Sequence, residues 1–278
     1  MTSAPLGVFD SGLGGLTVVR ALRALLPEEH VVYLGDTARV PYGTRSADTI
    51  LRYARSCAGV LTERGVKALV IACNTASAVA LEMLRAELDL PVIGVIEPGA
   101  AEAVEVAKRL SASGDPRGGR IGVLGTARTI ASGAYARAVS QLSTRFEVLG
   151  QTAPLLVPLV EEGWLEGDVP RLAAKRYLEP LVAQDVGVVV LGCTHYPLLH
   201  GIIESVAGEL SGRPVAVVDS AQATALAVRA LLEDRALRAP TGGQGRLELL
   251  VTDFPASFQA VAERFLGGNV PEVTQIDL

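Results

Sequence analysis

The sequence predicts an α/β fold made of two similar halves, each with a doubly wound parallel sheet. Short apolar runs rich in β-branched residues alternate with helix-length segments along the chain, a spacing typical of parallel strands joined by helices. The same order of runs begins again near residue 120, after a turn-rich segment at residues 111–119. A chain of 278 residues is also long enough for two domains of ordinary size.

The first half is expected to contain four strands separated by helices. Its apolar runs are nearly continuous rather than alternating, which is typical of strands that are buried on both faces. A glycine-rich turn, SGLGG at residues 11–15, separates the first strand from the first helix. The predicted strands cover residues 6–10, 31–34, 69–72 and 92–96, and the predicted helices cover residues 16–26, 47–64 and 76–87.

The second half repeats this order. The run at residues 120–126 resembles the opening strand, the run at 188–192 corresponds to the strand before Cys73, and residues 215–220 parallel residues 92–97. Cys193 follows Gly125 by 68 residues, and Cys73 follows Asp10 by 63. The agreement predicts an internal duplication, although two unrelated α/β units that align this well remain the alternative.

The C-terminal segment is expected to return to the first domain. It contains a strand-like run at residues 247–253, a helical pattern at 256–266 and a short apolar run at 273–276. We therefore expect one domain of residues 1–98 with 214–278, and another of residues 99–213.

Composition excludes several classes of function. Apolar residues make up 49% of the chain and charged residues 20%, with a net charge of −5 and no basic stripe, so nucleic acid is a poor candidate partner. Every apolar run is far shorter than the ~20 residues that span a membrane. The first strand begins near Leu6, so no signal peptide is expected. Three widely spaced cysteines fit neither a disulfide framework nor a zinc site, and we expect a cytoplasmic protein.

Polar side chains collect where the predicted strands end, and ligands of α/β sheets bind outside the carboxyl ends of the strands. Cys73 and Cys193 each follow an apolar run and directly precede polar residues, whereas Cys57 lies in a helix and is read as a core residue. Asp10 and Asp36 have an alternative role as helix caps, and His195 as a structural histidine. The strand-end groups are Asp10-Ser11, Asp36-Thr37, Cys73-Asn74-Thr75, Glu97, Gly125-Thr126, Cys193-Thr194-His195 and Asp219-Ser220.

No cofactor and no metal ion is expected at these strand ends. The glycine turn after Asp10 matches neither common phosphate-binding motif, and a substrate carboxylate suits it better than a nucleotide. Pyridoxal phosphate needs a lysine for its Schiff base. Lys67 lies at the wrong end of its strand, and Lys108 and Lys175 fall within helical stretches.

Five segments resemble the glutamate racemases of bacterial cell-wall synthesis, and they span nearly the whole chain in order. They are GVFDSGLGGLTV (residues 7–18), YLGDTARVPYG (33–43), ACNTASA (72–78), GVIEPG (94–99) and LGCTHYP (191–197). The resemblance implies a pseudo-symmetric pair of α/β domains with the active site in the cleft between them. It also implies cofactor-independent interconversion of L- and D-glutamate for peptidoglycan synthesis.

The resemblance assigns roles residue by residue. Cys73 matches the thiol that acts on D-glutamate, and Cys193 the thiol that acts on L-glutamate. The matching assisting groups are Asp10, Asp36, Glu161 and His195, and the matching substrate contacts are Asp10, Ser11, Pro41, Tyr42, Gly43, Asn74, Thr75, Thr126, Thr194 and His195. Arg128 departs from the family pattern, which has alanine there, and we expect its side chain to point to solvent. A homodimer is the expected assembly.

The residue types also suit proton transfer without reference to the family. A free thiol with a pKa of about 8.5 can act as acid or base near neutral pH. One cysteine as thiolate would remove an α-proton while the other, as thiol, returns a proton to the opposite face. A thiol hydrolase or lyase using Cys193 with His195 and a two-lobed amino-acid-binding module remain the alternatives, as does racemisation of aspartate.

Overall fold

The computed structural model describes residues 2–254 and 258–278. The chain divides into two compact units after Val95 and after Ser220. The first unit therefore contains the start and the end of the chain, and the second contains the segment between them. Among the described residues, no helix has the length and apolar character needed to cross a membrane.

The first unit is built on a six-stranded parallel sheet in the order β10-β9-β2-β1-β3-β4. Its strands are β1 (Leu6–Asp10), β2 (Val31–Gly35), β3 (Ala68–Ile71), β4 (Val92–Gly94), β9 (Leu247–Val251) and β10 (Val273–Gln275). Its helices are α1 (Leu16–Leu25), α2 (Ala47–Glu63), α3 (Asn74–Glu87), α10 (Ser220–Asp234, from Ala221 onward) and α11 (Phe258–Leu266).

The second unit is built on a four-stranded parallel sheet in the order β6-β5-β7-β8. Its strands are β5 (Arg120–Gly125), β6 (Glu147–Thr152), β7 (Val188–Gly192) and β8 (Ala216–Asp219). Its helices are α4 (Ile96–Ala112), α5 (Ala127–Ala131), α6 (Ala134–Leu142), α7 (Leu156–Glu161), α8 (Asp168–Val182) and α9 (His200–Ser211).

The two sheets share one strand order. In the first, β1 lies between β2 and β3, and β4 follows β3. In the second, β5 lies between β6 and β7, and β8 follows β7. Ligands of such sheets bind where the order reverses, outside the carboxyl ends of the central strands. The structure confirms the predicted class of two doubly wound parallel sheets, and it puts Cys73 and Cys193 after the equivalent strands β3 and β7.

The apolar runs are buried as their composition predicts. All residues of β1, β2, β3 and β7 are buried, and helices α2 and α3 cover one face of the first sheet. Ile50, Ala54 and Leu61 of α2 pack in this core with Leu84 of α3 and Leu250 of β9. The strands are thus held rigidly, and so are the residues at their carboxyl ends.

Several boundaries differ from the predicted ones. The strand predicted over residues 92–96 ends at Gly94, and α4 begins at Ile96. Glu97 and Pro98 therefore lie in the first helical turn, where a proline is tolerated because the backbone N–H groups have no partner within the helix. Residues 255–257, at the start of the helix predicted over 256–266, lie outside the described residues; the described part begins at Phe258.

The C-terminal segment adds β9 and β10 to the edge of the first sheet beside β2. Strand β8 instead pairs with β7, so residues 216–219 lie in the second unit, although the sequence groups them with residues 214–278. Strand β8 pairs with β7 as β4 pairs with β3, which is the position that the correspondence of residues 215–220 to residues 92–97 indicates.

Candidate active site

The carboxyl end of β1 places Asp10 in a tight turn. Asp10 is 1% exposed, and its Oδ2 accepts hydrogen bonds from the backbone N–H groups of Gly12, at 3.2 Å, and Gly15, at 3.0 Å. The Tyr33 hydroxyl donates to the carbonyl oxygen of Gly12 at 2.8 Å. Burial raises the pKa of Tyr33, and so do the nearby charges of Asp10 and Cys73, so this phenol stays neutral.

Two glycines in this region are required by packing. A Cβ atom on Gly15 would lie 2.5 Å from Cβ of Asp10 and 2.9 Å from Cβ of Ala72. A Cβ atom on Gly35 would lie 2.3 Å from the carbonyl oxygen of Gly12. The turn after β1 can therefore lie against β2 and β3 only because both side chains are absent.

Cys73 lies at the N-terminus of α3, next to this turn. Its Sγ caps the helix by accepting from the backbone N–H of Ala76 at 3.4 Å, and its thiol lies 3.5 Å from Oγ of Ser11. Asn74 and Thr75, the first residues of α3, are buried beside it. The N-terminus of a helix stabilises negative charge, and a cysteine there is more readily ionised. We refer to Asp10, Ser11, Cys73, Asn74 and Thr75 as the Cys73 cluster.

Asp36 follows β2 and is fully buried within a network of hydrogen bonds. Its carboxylate accepts from Nε of Arg39 at 2.9 and 2.7 Å, from the Tyr42 hydroxyl, and from Oγ1 of Thr252 at 3.0 Å. Burial raises the pKa of Tyr42, as do the charges of Cys57 and Asp36. The Asp36 carboxylate is thus held by its own loop and by Thr252, while the backbone N–H of Asp36 donates to the carbonyl oxygen of Asp10 at 3.0 Å.

The loop after Asp36 carries the other predicted substrate contacts of the first unit. Pro41 is exposed and follows a cis peptide bond, Tyr42 is buried, and Gly43 is half-buried. The Arg39 guanidinium lies over the ring of Tyr53 at 4.2 Å, and the rings of Tyr42 and Tyr53 are 5.5 Å apart. The loop is therefore held by aromatic as well as polar contacts.

In the second unit, Cys193 directly follows β7 and contacts His195. Its Sγ lies 3.9 Å from Nδ1 of His195, whose Nε2 lies 3.1 Å from Oε1 of Glu161. Burial lowers the pKa of His195, but the hydrogen bonds to Cys193 and Glu161 and their charges outweigh it and raise this pKa to about 10. At neutral pH the ring is an imidazolium that donates to both partners. We refer to Glu161, Cys193, Thr194 and His195 as the Cys193 cluster.

The contact between Cys193 and His195 is made by a turn, although their spacing of two residues suggests extended backbone. Two residues in extended backbone share a face, but His195 has helical backbone angles, and the N–H of Tyr196 donates to the carbonyl oxygen of Cys193. A turn, not a strand, brings the ring to the thiol. The Tyr196 hydroxyl donates to the carbonyl oxygen of Ala153 at 2.8 Å and fixes this turn.

Thr126 and Arg128 lie at the start of α5, after β5. Oγ1 of Thr126 accepts from the backbone N–H of Thr129 at 3.3 Å and lies 3.0 Å from the Thr129 hydroxyl oxygen. Thr126 thus caps α5, which is an ordinary role for a threonine. Arg128 is half-buried and so does not simply extend into solvent.

The structure also identifies residues that the sequence pattern does not. Tyr33 contacts the Asp10 turn from β2, and Thr252 reaches Asp36 from the far end of the chain. Tyr33 begins the segment YLGDTARVPYG but has no assigned role in it, and Thr252 lies outside all five segments. The contact that each residue makes depends on its position in the assembled sheet. Of the described residues, no group of three or more His, Cys, Asp or Glu side chains is arranged to hold a metal ion.

Comparison with known proteins identifies the family. The model of the Asp/Glu/hydantoin racemase family matches residues 16–228. A glutamate racemase of Geobacter metallireducens is 48% identical over 273 residues, covering 98% of this chain and 96% of the relative.

Solved structures of glutamate racemases are also similar to this chain. Glutamate racemase from Thermus thermophilus, in complex with β-chloro-D-alanine, has a TM-score of 0.85 and 45% identity, over 99% of this chain and 98% of that one. Glutamate racemase from Francisella tularensis, in complex with D-glutamate, has a TM-score of 0.86 and 34% identity, over 99% and 97%. The chain belongs to the Asp/Glu/hydantoin racemase family and, within it, to the glutamate racemases.

Proposed function

We propose that this protein interconverts L-glutamate and D-glutamate by moving the α-proton between two cysteines. The observation that carries the proposal is the matched placement of two buried thiols. Each follows the third strand of the shared order, and each sulfur contacts a nitrogen: the backbone N–H of Ala76 for Cys73 and Nδ1 of His195 for Cys193. Similarity over the full chain to glutamate racemases, one of them bound to D-glutamate, supports glutamate as the substrate.

In the L-to-D direction, Cys193 begins as thiolate and removes the α-proton. Nδ1 of His195 lies 3.9 Å from this sulfur, and Glu161 holds the ring from its other nitrogen. The electron pair left on the α-carbon spreads into the substrate carboxylate. Cys73, as thiol, then donates its proton to the opposite face and becomes a thiolate.

In the D-to-L direction the roles reverse. Cys73 begins as thiolate, with its Sγ at the N-terminus of α3 accepting from the N–H of Ala76. Asp10 directly precedes Ser11, whose hydroxyl oxygen lies 3.5 Å from this sulfur, and we assign Asp10 to assist the proton transfers of Cys73. Cys193 then returns the proton, so that one cycle in each direction restores the starting protonation of both thiols.

The carbanion needs donors aimed at the carboxylate on which its charge develops. We assign this role to side chains of both clusters and to Thr126, with Pro41, Tyr42 and Gly43 contacting substrate from the loop after Asp36. Loss of one such donor typically lowers the rate by about 10²–10³. The assigned donors are Ser11, Asn74, Thr75, Thr126 and Thr194.

The chemistry is proposed to need no cofactor. A Schiff base would require an available lysine, but Lys67 is buried in an ion pair with Glu29 at 2.5 Å. Lys108 pairs with Glu105 at 2.7 Å on the surface of α4, and Lys175 is exposed on α8.

We place the protein in the bacterial cytoplasm as a homodimer. Its three cysteines are thiols rather than disulfides, and a reducing compartment preserves thiols that act as acid and base. Closed dimers are the commonest assembly of soluble proteins. D-Glutamate is a constituent of peptidoglycan, so the product would supply cell-wall synthesis.

A chiral assay tests the activity. Purified protein is incubated with L-glutamate, and D-glutamate, ammonia and total glutamate are measured, with L-aspartate in a parallel reaction. We expect L-glutamate to fall to half of a constant total while D-glutamate rises to match it, with much slower change in aspartate. Ammonia release would indicate a lyase or hydrolase, binding without conversion would indicate a binding module, and faster aspartate conversion would change the substrate.

A further inference from the structure

The Asp36 carboxylate is enclosed by its hydrogen-bond partners. Its side chain has no exposed surface, and both oxygens accept hydrogen bonds, Oδ1 from Arg39 and Thr252 and Oδ2 from Arg39 and Tyr42. A carboxylate that carried protons to or from a substrate would need an open path to it. Here the hydrogen-bond partners surround both carboxylate oxygens. Arg39 and Tyr42 belong to the loop after Asp36, and Thr252 directly follows β9.

Thr252 joins this loop to the C-terminal part of the sheet. Its Oγ1 donates to Oδ1 of Asp36 at 3.0 Å and accepts from the backbone N–H of Ala38 at 2.9 Å, while its own N–H donates to the carbonyl oxygen of Gly35 at 3.2 Å. One hydroxyl thus holds both the anchoring carboxylate and the first turn of the loop.

A second pair of hydrogen bonds lies beside the first. The Thr37 hydroxyl donates to the carbonyl oxygen of Asp253 at 2.5 Å and accepts from the backbone N–H of Asp253 at 2.8 Å. Strand β9 pairs with β2 up to Gly35 and Val251, so these contacts continue the sheet for two residues past its end. We refer to the contacts of Thr37, Ala38 and Asp36 with Thr252 and Asp253 as the loop clamp.

We propose that Thr252 is a positioning residue for the racemase reaction and that Asp36 works with it as the anchor of the loop, not as a proton carrier. The clamp holds residues 36–43 so that Pro41, Tyr42 and Gly43 present a preformed surface to the substrate. The proposal rests on the proposed function for the identity of that substrate. The segment that follows β9, which is remote in sequence from every motif, thereby supports the substrate-binding loop.

The isosteric variant Thr252→Val tests the clamp because it removes the hydroxyl and keeps the shape. Thr274→Val is the matched control, since Thr274 is an exposed threonine on the neighbouring strand β10. Thr252→Ser retains a hydroxyl and is the rescue variant. Backbone amide hydrogen exchange of residues 37–44 is measured for the wild type and the three variants, together with kcat and KM for both enantiomers.

We expect Thr252→Val to speed amide exchange in residues 37–44 by about 5- to 30-fold, the effect of one or two lost hydrogen bonds. KM should rise by a similar factor for both enantiomers while kcat changes by less than about 3-fold, since a loosened binding surface weakens ground state and transition state alike. Thr274→Val and Thr252→Ser should resemble the wild type. Exchange at the wild-type rate in Thr252→Val, or faster exchange with unchanged KM, overturns the proposal.

The variant Asp36→Asn separates positioning from proton transfer. If Asp36 is an anchor, the neutral amide weakens the contact with Arg39 and should raise KM while the shape of the pH–rate profile is kept. Loss of one limb of that profile, with a fall in kcat and an unchanged KM, would show instead that Asp36 carries a proton. If the wild type does not racemise glutamate, the proposed function fails, but the exchange measurement still decides whether the clamp holds the loop.

Discussion

The Nε2 atom of His195 lies 3.1 Å from Oε1 of Glu161, and the opposite nitrogen of the same ring faces Cys193. Cys193 therefore has a titratable cation beside it, held in place by a carboxylate. Cys73 has a backbone N–H and a helix N-terminus instead. The two thiols therefore have different neighbours, one a titratable ring and the other backbone donors fixed by the fold.

The pH dependence of His195 follows from its raised pKa. Because this pKa is about 10 in the folded protein and about 6.5 in an unfolded chain, the charged ring stabilises the fold fully below about pH 6.5. That contribution is lost as pH rises through about 10. We expect racemisation to show an alkaline limb near pH 10 and none near 6.5, with His195→Gln removing the limb and lowering kcat by about 10²–10⁴.

Glu161→Gln tests the contact between Glu161 and His195 by a smaller change than removal of the histidine. It keeps a hydrogen-bond acceptor for His195 but removes the charge, so the pKa of the ring should fall and the alkaline limb should move to lower pH. The measurement is the pH profile of kcat/KM in both directions. An unshifted limb would mean that Glu161 does not control the charge of His195.

Cys73→Ser and Cys193→Ser should each abolish racemisation, because a hydroxyl is far too weak an acid for this step. Serine is a good helix cap, so Cys73→Ser should keep its unfolding midpoint and still bind glutamate by calorimetry. Cys57→Ser is the control and should keep activity. Burial and the charge of Asp36 raise the pKa of Cys57 to about 12, which leaves it a neutral thiol. Full activity in either cluster variant would contradict the assignment.

Gly15→Ala should be destabilising by roughly 1–3 kcal/mol, as overpacking of a dense region typically is. The new Cβ would meet Asp10 and Ala72, so activity should fall with stability as Asp10 shifts. Gly59→Ala is the matched control in α2, where a Cβ has open space, and it should be stabilising by roughly 0.5–1 kcal/mol. Urea unfolding measures the free energy of unfolding of both variants. An equal change in the two would show that crowding around Gly15 does not destabilise the Gly15→Ala variant.

Lys67→Met should lower the free energy of unfolding by up to about 3–5 kcal/mol, because it removes the nearer of the two cations that contact the buried carboxylate of Glu29. Lys67 lies at 2.5 Å from that carboxylate, whereas Nε of Arg238 lies at 3.6 Å. Both side chains of the pair of Lys67 and Glu29 are almost fully buried, at 3% and 1% exposure. The exposed pair of Arg55 and Glu87 supplies the comparison, and Arg55→Met should leave the unfolding midpoint nearly unchanged. A similar loss of unfolding free energy in the two variants would show that burial does not make the ion pair of Lys67 and Glu29 more important.

The strand ends could be predicted from sequence because their signal is local. An apolar run that stops at a polar residue marks where a buried strand leaves the core, and Cys73, Cys193 and Asp10 all follow this rule. Helix α3 begins at Asn74, two residues before the predicted start, and Cys73 caps it. Cysteine is not among the usual N-cap residues, so the prediction places the start of this helix too late.

Contacts between distant segments could not be predicted in the same way. Thr252 meets Asp36 only because β9 joins the sheet beside β2, and nothing local to either residue indicates that pairing. Glu161 meets His195 through the placement of α7 against the turn after β7. The family resemblance points to Glu161, but the spacing of residues alone does not.

Deuterium labelling tests the two-cysteine mechanism most directly. The wild-type protein converts L-glutamate in D₂O, and both enantiomers are separated at low conversion and analysed for α-deuterium. With two bases, the D-glutamate formed should carry deuterium while the recovered L-glutamate carries almost none, because the proton that leaves and the deuteron that returns belong to different thiols. Equal early labelling of recovered substrate and product would show that a single base serves both faces and would contradict the central claim.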